Sequence, residues 1–362
     1  MNTPKSSRYH RARRRTDAAS LAAVSCLLTA VLLTPASVWL RTALNGSPAA
    51  YALVLFAFLG VVLLPFAWYR GHRLERQYEL THTRFRNWLA GQIKTAALAL
   101  PAAAALAGFI YWSMRWPSIW WLIAALGCAT VMAVLTAAAP LLILPFLQQT
   151  RPVGSERLLL RLDRLSARAG VPVLSVHELP MGERTRRARA ALVGAGSTRR
   201  ILLSDTLLAN YSDGEIEAVM AHEIGHHVHH DLLKTSLVEL LLLVAGFRVA
   251  AAALDGGWRW LGLTSPADPA GMPLVVLAMG SVALIATPFL NAWSRGHERR
   301  ADRFALETAS EPEALIAAVR RMSAQNLAED RPSSAAFLLF HSHPTAEERI
   351  AAAREVLSLR GR

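Results

Sequence analysis

The chain alternates between long uncharged stretches and shorter stretches that are rich in charged residues. Six stretches with few or no charges are long enough to cross a hydrocarbon core of about 30 Å, which takes about 20 apolar residues in a helix. They run from Ala18 to Leu40, Ala49 to Tyr69, Thr95 to Met114, Ser118 to Leu147, Thr235 to Leu254 and Met272 to Trp293. The fourth contains Pro140 and Pro145, where we expect a tilt or a kink. The pattern predicts a mainly α-helical, polytopic membrane protein.

The first of these stretches follows a basic segment, as the apolar part of a signal peptide would. It is too long for that role and ends without a convincing small-residue cleavage pattern. We therefore expect it to be a retained span.

The polar segments between the stretches have patterns of their own. From Arg70 to Lys94, apolar and aromatic residues mix with basic ones, which predicts an amphipathic helix at the membrane interface. In residues 148–234 we predict a small α+β unit. Its predicted elements are a helix at Leu158–Ala169, strands at Val171–Val176, Ala190–Val193 and Ile201–Leu203, and a helix over Ile216–His230 capped by Ser212 or begun at Asp213. Residues 294–362 should form helices broken near Pro312, Pro332 and Pro344.

These patterns divide the chain into four parts. Residues 1–147 are a membrane region with four spans and the interfacial helix, and residues 235–293 hold two further spans. Between and after them lie the two polar parts, residues 148–234 and 294–362.

Composition agrees with a membrane protein and limits the chemistry. Hydrophobic residues make up 53% of the 362 residues and the mean hydropathy is +0.28, more apolar surface than a soluble chain of this length can bury. The two cysteines, Cys26 and Cys128, both fall inside apolar stretches. Neither a disulfide framework nor a cysteine-bound metal is expected, so any metal would be held by histidines and carboxylates.

The net charge of +13 is distributed in a way that predicts topology rather than nucleic-acid binding. The basic residues are spread over loops, with no nucleic-acid motif and no continuous basic helix. They concentrate before the first span and between the second and third, whereas the opposite loops offer only Arg41, Arg115 and Arg259. By the positive-inside rule, both termini and both polar parts lie on the cytoplasmic side of a cell membrane.

His222 and His226 frame an H-E-x-x-H motif on a predicted helix. Residues four apart lie on one helix face about 6 Å apart, so both imidazoles can bind one Zn²⁺. Glu223 then stands where it can take a proton from the attacking water, whose pKa the metal lowers. The competing interpretation is chance, which the neighbouring histidines at 227, 229 and 230 make easier.

A catalytic zinc normally has a third protein ligand, and the best candidate follows the last span. Glu298 and Asp302 are four residues apart in a polar helical context. Glu298 can bind the metal while Asp302 orients a ligand histidine. The alternative is a solvated helix face on which these carboxylates form surface ion pairs with nearby arginines.

The residues His222–His226, followed by Asp231, Asn291, Ser294, Arg295, Glu298, Ala301 and Asp302, resemble the type I CAAX prenyl protease family and the related bacterial heat-shock membrane proteases. Residues 73–78 with Trp88 and Leu89 are similar to the family's amino-terminal region. Residues 200–208 are similar to the segment ahead of its metal helix, and residues 341–344 with Arg349 to its carboxyl-terminal part. The resemblance extends from about residue 70 to 355.

This resemblance implies helices around a large internal chamber and a zincin-like catalytic part, whose metal helix would count as a seventh span if it enters the membrane. It implies that His343 and Arg349 stabilise the oxyanion or hold substrate, and that Asn291 supports the site from behind the ligands. The family usually has an Asn-Ala pair at the strand where substrate binds. Here the matching pair is Arg189 and Ala190, which makes substrate preference less transferable than chemistry.

We therefore expect a membrane endopeptidase with one Zn²⁺ per chain, with His222, His226 and Glu298 as ligands and Glu223 as the base. Its partners would be peptide or membrane-protein substrates and the lipid bilayer, without nucleic acid, and its oligomeric state stays open. The composition, rich in alanine and arginine, suggests a bacterium with a high-GC genome, which favours turnover of membrane or stress-damaged proteins over prenylated substrates. The alternatives are a regulatory protease with one cytoplasmic partner and a non-enzymatic, metal-stabilised scaffold or transporter.

Overall fold

The structure, a computed structural model, describes residues 4–138, 150–181, 185–194 and 199–360. Five helices in this part of the chain are long and apolar enough to cross a membrane: Lys5–Leu33, Pro48–Gln77, Phe85–Ser113, Asp231–Gly257 and Pro269–Thr308. They confirm a mainly helical, polytopic membrane protein. A shorter apolar helix at Trp120–Ala138 occupies the predicted fourth span, and the rest of that span, with Pro140 and Pro145, lies outside the described residues.

Helix α1 (Pro4–Leu33) differs from the first predicted span at both ends. It begins in the basic segment, which is therefore helical. It ends at Leu33 rather than Leu40, because Pro35 has no backbone N–H to continue the helix and disfavours helical geometry at Thr34. A short helix, α2 (Ala36–Ala43), follows the break.

The predicted interfacial helix over residues 70–94 is wrong. Helix α3 (Pro48–Trp68) continues through a π-helical turn (Tyr69–Arg73) into α4 (Leu74–Gln77), and α5 (Phe85–Ser113) begins after a loop. The loop starts where Glu79 takes the left-handed conformation at φ 59° and the N–H of Leu80 bonds to the carbonyl of Glu75. The apolar residues thus belong to two helix ends rather than to one face of a single helix.

The membrane helices pack through two groups of buried residues. One joins α6 (Trp120–Ala138), α10 (Asp231–Gly257) and α11 (Met272–Thr308), around residues such as Trp120 and Phe247. The other joins α1, α3 and the start of α11, around Leu28 and Tyr51. Small residues let the backbones approach closely, as Gly246 does against Met279. The 37-residue helix α11 runs on from the last predicted span and carries Glu298 and Asp302 with it.

The α+β part contains helix α7 (Glu156–Ala169) and a four-stranded sheet of order β1-β2-β4-β3. Its strands are β1 (Arg151–Pro152), β2 (Ser175–Leu179), β3 (Ala190–Val193) and β4 (Arg200–Ser204). β2 pairs with β4 in parallel, and β1 and β3 are antiparallel to their neighbours. β3 lies at an edge of the sheet.

The strand predicted at Val171–Val176 lies later, at β2. Gly170 caps α7 in the left-handed conformation at φ 65°, and the N–H of Val171 bonds back to Ser166. Val171 is therefore used in the helix cap, and Pro172 follows it with no N–H for strand pairing. The short strand β1 was not predicted.

Five further helices lie after the sheet in the chain. They are α8 (Asp205–Asn210), α9 (Asp213–Val228), α12 (Ala314–Gln325), α13 (Ser334–Phe340) and α14 (Ala346–Arg360). Helices α7, α9, α11, α12 and α14 share one hydrophobic cluster with the sheet. The predicted breaks near Pro312, Pro332 and Pro344 are confirmed.

Candidate metal centre and active site

Helix α9 is held at its start by a capping box. The Ser212 side chain accepts a hydrogen bond from the N–H of Glu215, and the Glu215 carboxylate accepts one from the N–H of Ser212. This agrees with the predicted start and satisfies two backbone donors that the helix leaves open. The helix ends at Val228, two residues before the predicted end, because His230 takes a left-handed conformation at φ 54°.

Three side chains converge between α9 and α11. The Nε2 atoms of His222 and His226 lie 3.2 Å apart. Each lies 3.4 Å from an oxygen of Glu298. All three donor atoms lie within 4.8 Å of one another. The structure thus brings together the three residues predicted as metal ligands.

A carboxylate fixes the other nitrogen of each histidine. Nδ1 of His222 lies 2.8 Å from Asp302, and Nδ1 of His226 lies 2.9 Å from Asp231. Each Nδ1 carries an N–H that donates to its carboxylate, so each Nε2 has a free lone pair that can bind a metal. Asp302 has the predicted orienting position. The matching role of Asp231 was not predicted.

This arrangement fits a divalent cation. Two imidazole lone pairs and a carboxylate that face one another at 3.2–3.4 Å repel unless positive charge lies between them. Oε2 of Glu298 is buried and accepts no hydrogen bond from the described residues, although Nδ1 of His343 lies 2.9 Å away. Metal ligation would satisfy that oxygen.

Protons compete with a metal for these atoms. Burial lowers the pKa of His222, but the carboxylates of Asp302 and Glu298 outweigh this and raise the pKa to about 9. The pKa of His226 is raised in the same way, by Glu298 and Asp231 against burial. The site therefore attracts positive charge strongly, whether from protons or from a metal ion.

Gly225 sets how close the two ligand helices lie. A Cβ at this position would stand 3.1 Å from the Cα of Ala301 and 3.2 Å from the side chain of Phe304, both on α11. Only glycine gives this separation without a shift of one helix. The H-E-x-x-H motif allows any residue at its second variable position, but in this chain the packing against α11 requires glycine there.

Glu223 faces a cavity of about 820 Å³ beside the metal ligands. Burial is the main cause that raises the pKa of Glu223, and the histidines of the site oppose it. The cavity runs along the edge strand β3 and is lined there by Arg189 and Ala190. Arg189 is exposed, and its backbone pairs with Ser204 of β4. All the predicted substrate-binding residues therefore line the same cavity as the metal ligands.

His343 and Arg349 also line this cavity, with different surroundings. The side chain of His343 is 64% exposed. Arg349 is largely buried, and its guanidinium donates two hydrogen bonds to the carboxylate of Asp302, of 2.6 and 2.8 Å. Arg349 thus holds the carboxylate that orients His222.

Asn291 lies away from the metal ligands and supports the segment that leads to His343. Its side-chain amide donates to the carbonyl of Leu338 at 3.0 Å. Arg295, one helical turn further on, donates to the carbonyl of His341 at 2.7 Å and packs 4.3 Å from the centre of the Phe337 ring. Both residues of α11 therefore fix the end of α13.

The amino-terminal helix reaches the same segment, which sequence reasoning did not predict. Ser6 donates to the carbonyl of Ala328 at 2.7 Å, and Arg14 pairs with the buried carboxylate of Glu329. His341 lies 3.5 Å from Glu329. No local pattern signals the contacts of Ser6 and Arg14, because their partners lie more than 300 residues away in the chain.

Models of two protein families match almost the whole chain. Residues 152–357 match the model of peptidase family M48, and residues 2–149 match that of the CAAX prenyl protease N-terminal region, described as five membrane helices. An uncharacterized metalloprotease of Bacillus subtilis is 28% identical over 83% of this chain and 71% of its own length. A protease HtpX homologue of Nostoc punctiforme is 29% identical over 73% of this chain and 96% of its own length.

A probable CAAX prenyl protease 1 of Schizosaccharomyces pombe is 24% identical over 83% of this chain and 64% of its own length. The fold is similar to the crystal structure of Ste24p of S. mikatae, with a TM-score of 0.74 at 21% identity over 84% of this chain and 75% of that one. With a family match over more than half of the chain, the protein belongs to peptidase family M48 and is a multi-pass membrane metalloprotease.

Proposed function

We propose that the protein is a zinc-dependent endopeptidase that holds one Zn²⁺ per chain on His222, His226 and Glu298. The observation that carries the proposal is the convergence of these donors within 4.8 Å, with both Nδ1 atoms already bound to carboxylates. Two imidazoles and one carboxylate suit zinc better than magnesium or calcium, which prefer oxygen ligands. These three protein ligands would hold the metal and leave it able to bind water or substrate.

When bound, zinc would supply a Lewis acid that polarises the scissile carbonyl and lowers the pKa of water. Glu223 takes the proton from the attacking water and passes it to the leaving amine. The raised pKa of Glu223 suits both steps, because a stronger carboxylate base accepts the proton more readily and still releases it to an amine. A bidentate pair with Arg349 keeps Asp302 ionised and in place behind His222.

His343 supports the reaction from the other wall of the cavity. Its exposed ring can donate a hydrogen bond to the oxyanion that forms on the carbonyl carbon. Both side-chain hydrogen bonds of Arg349 go to Asp302, so we assign it a positioning role that acts through Asp302 and His222. Asn291 and Arg295 position His343 by fixing the backbone at residues 337–341.

The substrate binds as an extended strand along β3. This strand pairs with β4 on one side only, and the described part of the sheet has no strand on its other side. A peptide can therefore add to the free edge by backbone hydrogen bonds, as other strand-binding proteases and domains do. Arg189 and Ala190 begin this edge beside Glu223, so the Arg189 side chain contributes to substrate preference.

The substrates we propose are membrane or stress-damaged proteins, cleaved at the cytoplasmic face of a bacterial plasma membrane. The excess of basic residues before the first span and between the second and third supports this orientation. The composition, rich in alanine and arginine, favours a bacterial source, and with it such substrates over prenylated ones.

Replacing Glu223 with Gln tests the proposal. The amide cannot take the proton but is nearly isosteric, so hydrolysis of a peptide library should fall at least about a hundredfold while zinc content and melting temperature stay unchanged. Glu355→Gln is the matched control, because Glu355 is exposed on α14 and away from the cavity. Equal cleavage by Glu223→Gln and the control would exclude Glu223 as the base.

Single-cysteine labelling tests the orientation. With Cys26 and Cys128 replaced by alanine, a cysteine at Ser333 should react with an impermeant maleimide only after the cells are opened. Labelling of intact cells at Ser333 would place the catalytic part on the outer side of the membrane.

A further inference from the structure

A groove lies between the end of α3 and the start of α5, away from the metal centre. Its volume is about 1180 Å³. Its long wall is apolar, formed by Val61, Leu64, Pro65, Trp68, Phe85, Trp88 and Leu89. Val61 and Phe85 are exposed at its rim. A groove of this size with this lining can hold a long hydrocarbon chain.

One end of the groove is cationic. Arg73 and Arg76 line it and are exposed, and neither has a carboxylate partner among the residues that the structure describes. Two nearby arginines do have carboxylate partners. Arg70 forms an ion pair with Asp17 at 2.7 Å, and Arg187 forms one with Glu75 at 2.9 Å. No carboxylate in the described chain thus neutralises the two arginines of the groove, although the guanidinium of Arg73 lies 5.7 Å from the ring centre of Trp68 and 6.0 Å from that of Tyr69.

His72 adds a buried donor or acceptor at the same end. The residue is 6% exposed, and its ring lies 5.7 Å from that of Phe85 and 5.9 Å from that of Trp88. Its Nε2 is buried without a hydrogen-bond partner in the described part of the chain. Such an atom costs free energy unless a ligand or water satisfies it. The π-helical turn Tyr69–Arg73 places His72 and Arg73 at this end, and such turns are frequent at functional sites.

The cationic end lies at the same face of the membrane as the catalytic part. The loop after α4 pairs Thr81 with Thr185, and Glu75 binds Arg187 just ahead of β3. Trp68 and Trp88 line the groove beside the arginines, and membrane proteins place such aromatic residues at the boundary between hydrocarbon and headgroups. The groove therefore begins at headgroup level and leads into the hydrocarbon region along α3 and α5.

We propose that this groove binds one anionic phospholipid of the bilayer. An acyl chain lies along Leu64, Pro65 and Leu89, and the phosphodiester accepts hydrogen bonds from Arg73, Arg76 and His72. Guanidinium groups bind phosphate oxygens strongly, and basic pockets between membrane helices are typical sites for anionic headgroups. The phosphodiester of a phospholipid carries one negative charge toward the two arginines. In a zwitterionic lipid the ammonium group cancels that charge, and an uncharged isoprenoid has none, so the net charge favours phosphatidylglycerol over either.

Quenching of tryptophan fluorescence by brominated lipids tests the proposal on the full-length protein. The protein is reconstituted in phosphatidylcholine vesicles that contain a small fraction of phosphatidylglycerol, with bromine on the acyl chains of one lipid or the other. The chain has ten tryptophans, so the groove signal is the difference between the wild type and Trp68→Phe/Trp88→Phe. Brominated phosphatidylglycerol should quench this signal at much lower mole fraction than brominated phosphatidylcholine, by about fivefold for each arginine.

Two double variants locate the site. Arg73→Gln/Arg76→Gln should lose the preference for phosphatidylglycerol, whereas Arg84→Gln/Arg86→Gln should keep it, because Arg84 and Arg86 are exposed nearby but do not line the groove. Zinc content and peptide cleavage of each variant show that it is folded. Equal quenching by the two lipids in the wild type, or equal loss in both double variants, would overturn the proposal in favour of unselective annular lipid. Displacement of the brominated lipid by a farnesylated peptide would overturn it in favour of a substrate groove.

Discussion

The carboxylate of Asp231 lies 2.9 Å from Nδ1 of His226, although a helix ends between the two residues. His230 turns the chain through the left-handed conformation, so α10 begins at Asp231 and its side chain reaches back to α9. The same carboxylate lies 3.3 Å from His297 and from Arg300 on α11. One buried aspartate therefore ties three helices together at the metal centre.

Asp231→Asn should weaken zinc binding by about ten- to a hundredfold, as loss of a carboxylate behind a ligand histidine does in other metal sites. The amide no longer fixes the N–H on Nδ1 or the ring orientation of His226. Competition with a zinc chelator measures the effect. Asp255→Asn is the control, because Asp255 is exposed near the other end of the same helix. Equal zinc affinity in the two variants would contradict the role of Asp231.

The sequence predicted that Asp302 orients a ligand histidine, but it did not predict the same role for Asp231. Helical spacing alone puts His222 and His226 on one face, and Glu298 and Asp302 on another. Asp231 follows His226 by five residues, which on a continuous helix would put it about 140° around the axis. Only the turn at His230 brings the two together, and no residue type at that position signals it, since glycine is the usual choice.

The fold shows the same division between local and tertiary information. Apolar length predicted the spans well, because a membrane requires it. It failed over residues 70–94, where the ends of two helices and their loop have the composition of one amphipathic helix. The contacts of the amino-terminal helix with residues 327–329 depend on packing between distant segments, so no pattern in the chain could predict them.

Gly225→Ala should lower both stability and zinc affinity. The added methyl group meets the backbone of Ala301 at 3.1 Å, so the helices that carry the ligands must move apart, at a cost of about 1–3 kcal/mol. Gly280→Ala is the matched control, since a Cβ there meets nothing within 4 Å. Thermal unfolding in detergent compares them. If both substitutions left the melting temperature unchanged, the close approach at Gly225 would not limit the site.

Arg14→Ala should destabilise the protein more than Arg11→Ala. Burial alone would raise the pKa of Glu329, but hydrogen bonding to Arg14 holds it below its usual value. Without Arg14 a buried carboxylate loses its main partner, at a cost of about 1–3 kcal/mol. Arg11 is exposed on the same helix. The pKa of Glu329 is lower in the folded than in the unfolded state, so this contribution is complete above the usual pKa of glutamate and is lost as the pH falls from there through the lowered pKa. Equal melting temperatures of the two variants at neutral pH would exclude the contact.

The central claim is that His222, His226 and Glu298 hold the metal on which peptide cleavage depends. Zinc per chain and cleavage of one peptide library, measured on the same preparations, test it most directly. Glu307→Ala is the matched control, because Glu307 is exposed on α11 nine positions beyond Glu298. We predict one zinc per chain and full activity in the wild type and the control, with both falling together in Glu298→Ala. Full zinc and full activity in Glu298→Ala would contradict the account.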